Sequence, residues 1–265
     1  MITINEDKCI KCGLCLKDCM PSVIEFDENK IPYAANPHRC INCQHCLAVC
    51  PTGALTFKEN NPDNSDKISE KEPEKILNLI KSRRSCRFYK NENIPAEKMA
   101  KLKEMLKWIP TGVNNHRLVF SFIDDLNVMN DFRDQVNSQL LEKMKDPNVN
   151  TEKFSRYEKP ILEGKDVIFR GAPHFVTVFT PNDAPCTDID PVIALSYFEL
   201  YAQSLGLGTC WCGLGYWILN LLPEFLQRLE IPQGYKLGYC MLFGTPAVKY
   251  QRCTQPESYN VISVR

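Results

Sequence analysis

Between Pro95 and Ile109 the apolar residues Met99, Leu102, Met105, Leu106 and Ile109 return at helical spacing, with Pro95 where a helix begins. The pattern predicts an amphipathic helix that stops at Pro110 and turns this stripe into the core. The rhythm changes at "LVFSFI" (118–123), where β-branched and aromatic residues predict a strand. Further strands are expected at Phe175–Phe179 and in "YKLGYCMLFGTPAVKYQR" (235–252), the latter ending in Gly–Thr–Pro. From Val192 to Leu205 apolar positions fall almost all round, as in a buried central helix. "GLGTCWCGLG" (206–215) then reads as a glycine-rich break, where backbone could approach a flat ligand and present N–H groups to it. Residues 124–165 are polar and charge-dense, with helical portions. Together these elements predict an α+β domain over residues 74–265.

The other end of the chain has a different texture. "KENNPDNSDKISEKEP" (58–73) has Ile68 as its one apolar residue and carries prolines at 62 and 73, so it cannot bury a core and is expected to be a linker. Ahead of it, residues 1–57 hold eight of the fourteen cysteines. They fall in two runs, "CIKCGLCLKDCMP" from Cys9 and "CINCQHCLAVCP" from Cys40, offset by 31 residues, each leading into an apolar stretch. This is an internal duplication. Three thiolates at C-x2-C-x2-C can wrap one face of an iron–sulfur cube, and the fourth must come from farther away. Zinc is the alternative for paired C-x2-C units, but two such runs in the same x2, x2, x3 register argue for clusters. His45, inside the second run, reads either as a surface turn residue or as a hydrogen-bond donor that tunes a cluster.

Charge adds exclusions. Lys plus Arg and Asp plus Glu are 32 each, which gives no electrostatic footprint for nucleic acid. No apolar run reaches the roughly 18 residues of a membrane span. The opening "MITINEDKCIKC" lacks the basic and apolar regions of an export signal, so a reducing, cytoplasmic setting is expected. In the second domain Arg83, Arg84 and Arg87 surround Ser85; guanidinium forks and a hydroxyl at this density suit a phosphate and other polar acceptors.

Residues 1–57 resemble a bacterial-type two-cluster ferredoxin domain. The resemblance implies two [4Fe–4S] clusters with crossed ligation, Cys9, Cys12, Cys15 and Cys50 on one and Cys40, Cys43, Cys46 and Cys19 on the other. One departure is Met20, which separates Cys19 from Pro21, whereas Pro51 follows Cys50 directly. Residues 74–253 resemble the nitroreductase family of flavin enzymes, through "RRSCRFY", "PTGVNN", "GAPHFVTV", "ALSYFELYAQSLGLGTCWCG" and "LFGTPAVKYQR" in that order.

That resemblance implies a homodimer with FMN at the subunit interface. Arg83, Arg84, Ser85 and Arg87 would line the phosphate, ribityl chain and pyrimidine edge. Pro110, Thr111, Gly112 and Asn114 would reach the flavin from the partner subunit. Cys210, Trp211, Cys212 and Gly213 would lie along the ring, and Arg252 with Lys249 would hold the phosphate. The "NHRL" after Asn114 departs from the family's usual Asn-x-Gln-Pro and bears on the substrate side. No side chain is expected to act as catalytic acid or base. The implied activity passes electrons from the clusters to FMN and on to a small electron-poor acceptor, a nitroaromatic or activated alkene. The donor would be reduced ferredoxin, another low-potential donor or NAD(P)H. Rival readings are an electron carrier without flavin and a redox-sensing iron–sulfur protein.

Overall fold

The computed structural model describes residues 1–256 and 260–264. The chain divides into two compact units, one of Met1–Lys71 with Val113–Asn115, the other of Glu72–Gly112 with His116–Arg265.

In the first unit the sequence repeat becomes a structural one. Strand β1 (Ile2–Ile4), helix α1 (Leu14–Lys17) and strand β2 (Ile24–Phe26) are followed by β3 (Pro32–Ala34), α2 (His45–Ala48) and β4 (Leu55–Phe57). β1 pairs antiparallel with β4, and β2 with β3, so each half contributes one strand to each ribbon. The 31-residue offset also relates the backbone strain: Lys11, Gly13 and Ser22 have positive φ, and so do Asn42, Gln44 and Gly53. Four of these flank Cys12 or Cys43, where the chain must bend tightly around whatever the sulfurs surround. Val23, Ile24, Leu47, Leu55 and Phe57 fill the small core. Beyond β4 the polar segment folds back, with Lys58 N–H on the Met1 carbonyl at 2.7 Å. A single 3-10 turn at Pro62–Asn64 is capped by the Asn61 side chain.

The second unit begins with α3 (Pro73–Ser82) and α4 (Ala96–Met105). α4 ends before Pro110 because a 3-10 turn, Leu106–Trp108, carries the stripe on to buried Ile109. Then come β5 (Val119–Ile123), α5 (Leu126–Met144), α6 (Ser155–Leu162), β6 (His174–Pro181) and α7 (Asp190–Ser204). The chain closes with β7 (Gly208–Trp211), α8 (Gly213–Leu221), α9 (Glu224–Arg228) and β8 (Tyr235–Gly244). The sheet runs β5-β6-β8-β7, antiparallel throughout.

Strand alternation sorts the core onto two faces of this sheet. Phe175, Phe179, Leu237 and Leu242 pack with Met129, Phe132, Val136 and Leu140 of α5. Val176, Val178, Met241 and Phe243 pack with Met99 and Leu102 of α4 and Leu195, Phe198 and Ala202 of α7. The fold is α+β, as expected. One local expectation changes. The glycine-rich stretch is a strand and a helix start rather than a loop, because Thr209, Cys210 and Trp211 find ladder partners on β8. The helical portions expected in the polar stretch are there, the longest a 19-residue helix whose buried positions recur every three or four residues beneath its charges. Among the described residues no helix is long and apolar enough to cross a membrane.

Phe132 is 1% exposed and meets Phe169, Phe175 and Phe225 ring to ring. Phe132→Ala is expected to cost about 3–5 kcal/mol of stability in the second unit, read as a lowered denaturant midpoint by circular dichroism.

Candidate functional site

The eight cysteines of the first unit gather into two groups. Cys9, Cys12, Cys15 and Cys50 line one cavity with Gly13, Pro51 and Leu55. Cys19, Cys40, Cys43 and Cys46 line the other with Pro21, Ile24 and Phe57. The partition is the crossed one, with the fourth cysteine of each run beside the first three of the other. Pairing of β1 with β4 and β2 with β3 produces it, since each ribbon joins the two halves. The sulfurs ring a volume: among the described residues no three His, Cys, Asp or Glu side chains converge as ligands of a single metal ion.

Backbone donors support the sulfurs in matching places. Val23 N–H donates to Cys19 Sγ and Ala54 N–H to Cys50 Sγ, both at 3.3 Å. Burial pushes the Cys46 thiol up to about 11 and raises that of Cys15. At Cys50 burial also pushes upward, but the Ala54 N–H and the Thr52 hydroxyl and N–H outweigh it, and its pKa falls. A metal must therefore displace protons from the buried thiols, as thiolate ligation requires. These residues fit a four-iron cluster in each cavity. His45 opens α2 with its ring exposed and Nδ1 3.4 Å from Asp18 Oδ2.

In the second unit one pocket joins segments far apart in sequence. It is lined by Arg87, Ile168, Arg170, Cys210, Trp211, Cys212, Gly213, Leu214 and Leu242, with a volume of about 110 Å³. The first turn of α8 forms part of the lining, so N–H groups without intrahelical acceptors stand beside two guanidinium groups. Burial, then the neighbouring Cys212, raises the Cys210 pKa, while Arg87 and Arg170 pull it down. The raised value leaves a protonated thiol, not a nucleophile. Such a pocket, apolar on its sulfur-lined side and cationic at its edge, fits a flat group that gathers negative charge.

Five of the expected cofactor residues line this pocket: Arg87, Cys210, Trp211, Cys212 and Gly213. The rest stand outside its lining. Ser85 bridges to Thr209 of β7, which draws the arginine segment onto the sheet. Arg83 Nη1 lies 3.4 Å from Glu199 Oε1, and Arg84 Nη2 donates to Thr254 Oγ1 at 2.8 Å. Pro110, Thr111 and Gly112 form a turn held by Asp190, whose buried carboxylate accepts from Gly112 N–H at 3.0 and 3.1 Å. Asn114, grouped with the first unit, donates from Nδ2 to the Ile41 carbonyl at 3.1 Å. Lys249 and Arg252 are exposed.

Sequence reasoning missed Arg170 and Glu199. Arg170 directly precedes "GAPHFVTV", and its positive φ of 55° marks a position built for more than passage. Glu199 carried a sharper signal, as a lone acid inside an otherwise apolar helix.

The nitroreductase family model matches residues 80–245, and a 4Fe-4S dicluster domain matches residues 8–54. The chain belongs to the nitroreductase family. Among solved structures, this nitroreductase family member is similar to a nitroreductase with bound FMN from Bacteroides fragilis, at 19% identity and TM-score 0.58, over 71% of this chain and 98% of that one. A nitroreductase with bound FMN from Desulfitobacterium hafniense is similar at 25% identity and TM-score 0.57, over 72% and 98%. An FMN-dependent nitroreductase from Clostridium difficile follows at 20% and 0.54, over 73% and 100%. No curated protein matches the chain.

Crossed ligation is testable by pairs. Cys19→Ser and Cys40→Ser are each expected to remove roughly half of the bound iron, and together no more than either alone. Cys19→Ser with Cys9→Ser should remove nearly all of it. Iron analysis of anaerobically purified protein reads the result.

Gly208 offers a second test. A Cβ there would stand 2.6 Å from both Cβ and Sγ of Cys86. Gly208→Ala is expected to cost about 1–3 kcal/mol by overpacking, with a lower melting temperature that Cys86→Gly partly restores.

Proposed function

We propose that this family member is an FMN-dependent oxidoreductase that takes electrons in through two [4Fe–4S] clusters and delivers them to an electron-poor organic acceptor, a nitroaromatic or activated alkene. What carries the reading is the presence in one chain of two crossed four-cysteine cavities and an arginine-edged pocket on a nitroreductase fold. Bound FMN supplies the exchange between one-electron and two-electron chemistry. The chain's own groups bind, orient and offset charge. Arg87 and Arg170 place positive charge where a flavin's pyrimidine edge becomes negative on reduction. Trp211, Cys210 and Cys212 give the ring an apolar bed, and the first N–H groups of α8 face the same space. Arg83, Arg84 and Ser85 serve the ribityl chain and phosphate, with Lys249 and Arg252 beyond. No side chain needs to give or take a proton, since solvent reaches an open pocket.

In this reading the protein is a homodimer with FMN at the interface, where Pro110, Thr111, Gly112 and Asn114 of the partner subunit complete the site. The donor is reduced ferredoxin or another low-potential carrier, and NAD(P)H delivering directly to the flavin is the competing route.

Flavin absorbance in anaerobically purified protein tests the electron path. Reduced ferredoxin alone is expected to bleach it, and Cys-to-Ser changes at either cavity to abolish that bleaching. Bleaching by NAD(P)H alone would place electron entry at the flavin. Protein that takes up no FMN when supplied with it would sink the reading.

A further inference from the structure

Helix α7 buries one face, through Ala194, Leu195, Phe198 and Ala202, while Val192 and Tyr197 stay exposed, and the buried side carries Glu199 into the region behind the pocket. Glu199 is 5% exposed, and its two oxygens are divided between separate partners. Oε1 faces Arg83 Nη1 and accepts from Thr209 Oγ1, each at 3.4 Å, while Oε2 accepts from Trp211 Nε1 at 3.2 Å. One turn on, Gln203 Nε2 donates to the Arg84 carbonyl at 3.2 Å and to Thr209 Oγ1 at 3.1 Å. Glu199 and Gln203 share a helix face by their i, i+4 spacing, so one face of α7 holds both the arginine segment and β7.

A buried carboxylate is costly unless its oxygens are met by donors, and here they are met by groups of the cofactor site. The arrangement acts most on Arg83. Its side chain is 41% exposed, with Nη1 3.4 Å from a carboxylate that is itself only 6% exposed. Arg83, Arg84 and Arg87 lie within five residues, and an acid behind Arg83 offsets part of their mutual repulsion. A long arginine held this way loses less freedom when it closes on an anion.

We propose that Glu199 is a positioning residue that fixes the Arg83 guanidinium for the flavin's phosphate monoester, and so sets the preference of this pocket for FMN over the same ring without phosphate. The inference rests on the FMN reading above. Riboflavin shares the ring and ribityl chain and lacks only the phosphate, so it separates a phosphate effect from a loosened fold.

Dissociation constants for FMN and riboflavin, measured by flavin fluorescence with the cluster-loaded full chain, test it. Unaltered protein is expected to favour FMN. Glu199→Gln is expected to weaken FMN binding about tenfold while riboflavin moves less than about twofold. Trp211→Phe, which removes the other partner of the carboxylate, should leave the FMN-to-riboflavin ratio unchanged. Should Glu199→Gln not accumulate as folded protein, Arg83→Ala is expected to collapse the same ratio. Equal weakening of both flavins by Glu199→Gln, or no weakening, overturns the positioning role. No preference for FMN in unaltered protein overturns that role and the phosphate reading together.

Discussion

The pocket of the second unit depends on one short main-chain hydrogen bond, from Cys86 N–H to the Thr209 carbonyl at 2.7 Å. It fastens the arginine segment along β7, more than a hundred residues away in sequence. Its neighbours extend the seam: Tyr89 OH donates to the Cys86 carbonyl at 2.8 Å, Lys90 N–H to Thr245 at 2.9 Å, and Ala247 N–H to Phe88 at 2.9 Å. The seam closes only because Gly208 has no side chain where the Cys86 thiol packs. Cys86 is therefore a core residue, 1% exposed, with burial pushing its thiol pKa up. Arg87 reaches the pocket because its neighbour is pinned. A guanidinium on a free loop would have to be ordered anew for each ligand.

The first unit obeys a different constraint. Its strands are three residues long, too short to stabilise themselves. Its core is a handful of side chains packed against cysteines. A chain of this size needs a staple. The duplicated positive-φ turns bend the backbone around two cavities, so the strain serves the same volumes that the sulfurs ring. Cluster binding and folding are then one event, because the groups that hold iron also hold the two halves together.

How much of this the sequence disclosed follows from where the information is local. Cysteine spacing is local, so the two runs were plain, and their resemblance to a two-cluster ferredoxin implied the crossed partition that the two cavities show. The core strands were equally plain, since β6 carries Phe175, Val176, Val178 and Phe179 in one short run and is buried on both faces. Helix α5 was less plain, because nineteen residues carry charges around a stripe of four buried ones, and mean polarity conceals such a period. β7 was hidden for the opposite reason. Its glycine suggested a loop, and only the place of Cys86 in the fold explains why a glycine belongs in that strand. Arg170 and Glu199 depend on tertiary neighbours altogether: nothing within ten residues of Glu199 in sequence tells that Arg83 lies across from it.

The remaining step concerns charge. A chain with equal numbers of acids and bases has no overall field to draw an anion. Any attraction must come from local asymmetry, and the second unit builds one by gathering Arg83, Arg84, Arg87 and Arg170 around β7 and the start of α8. Concentrated cations repel one another and lose hydration as they approach an apolar wall. One buried acid behind Arg83 lowers that cost without entering the lining of the pocket, to which Arg87 and Arg170 belong. The asymmetry suits a cofactor whose reduced state is more negative than its oxidised one, since fixed positive charge stabilises the state that has gained electrons. Electrons delivered one at a time then have a place to accumulate, and the pocket's openness decides what removes them.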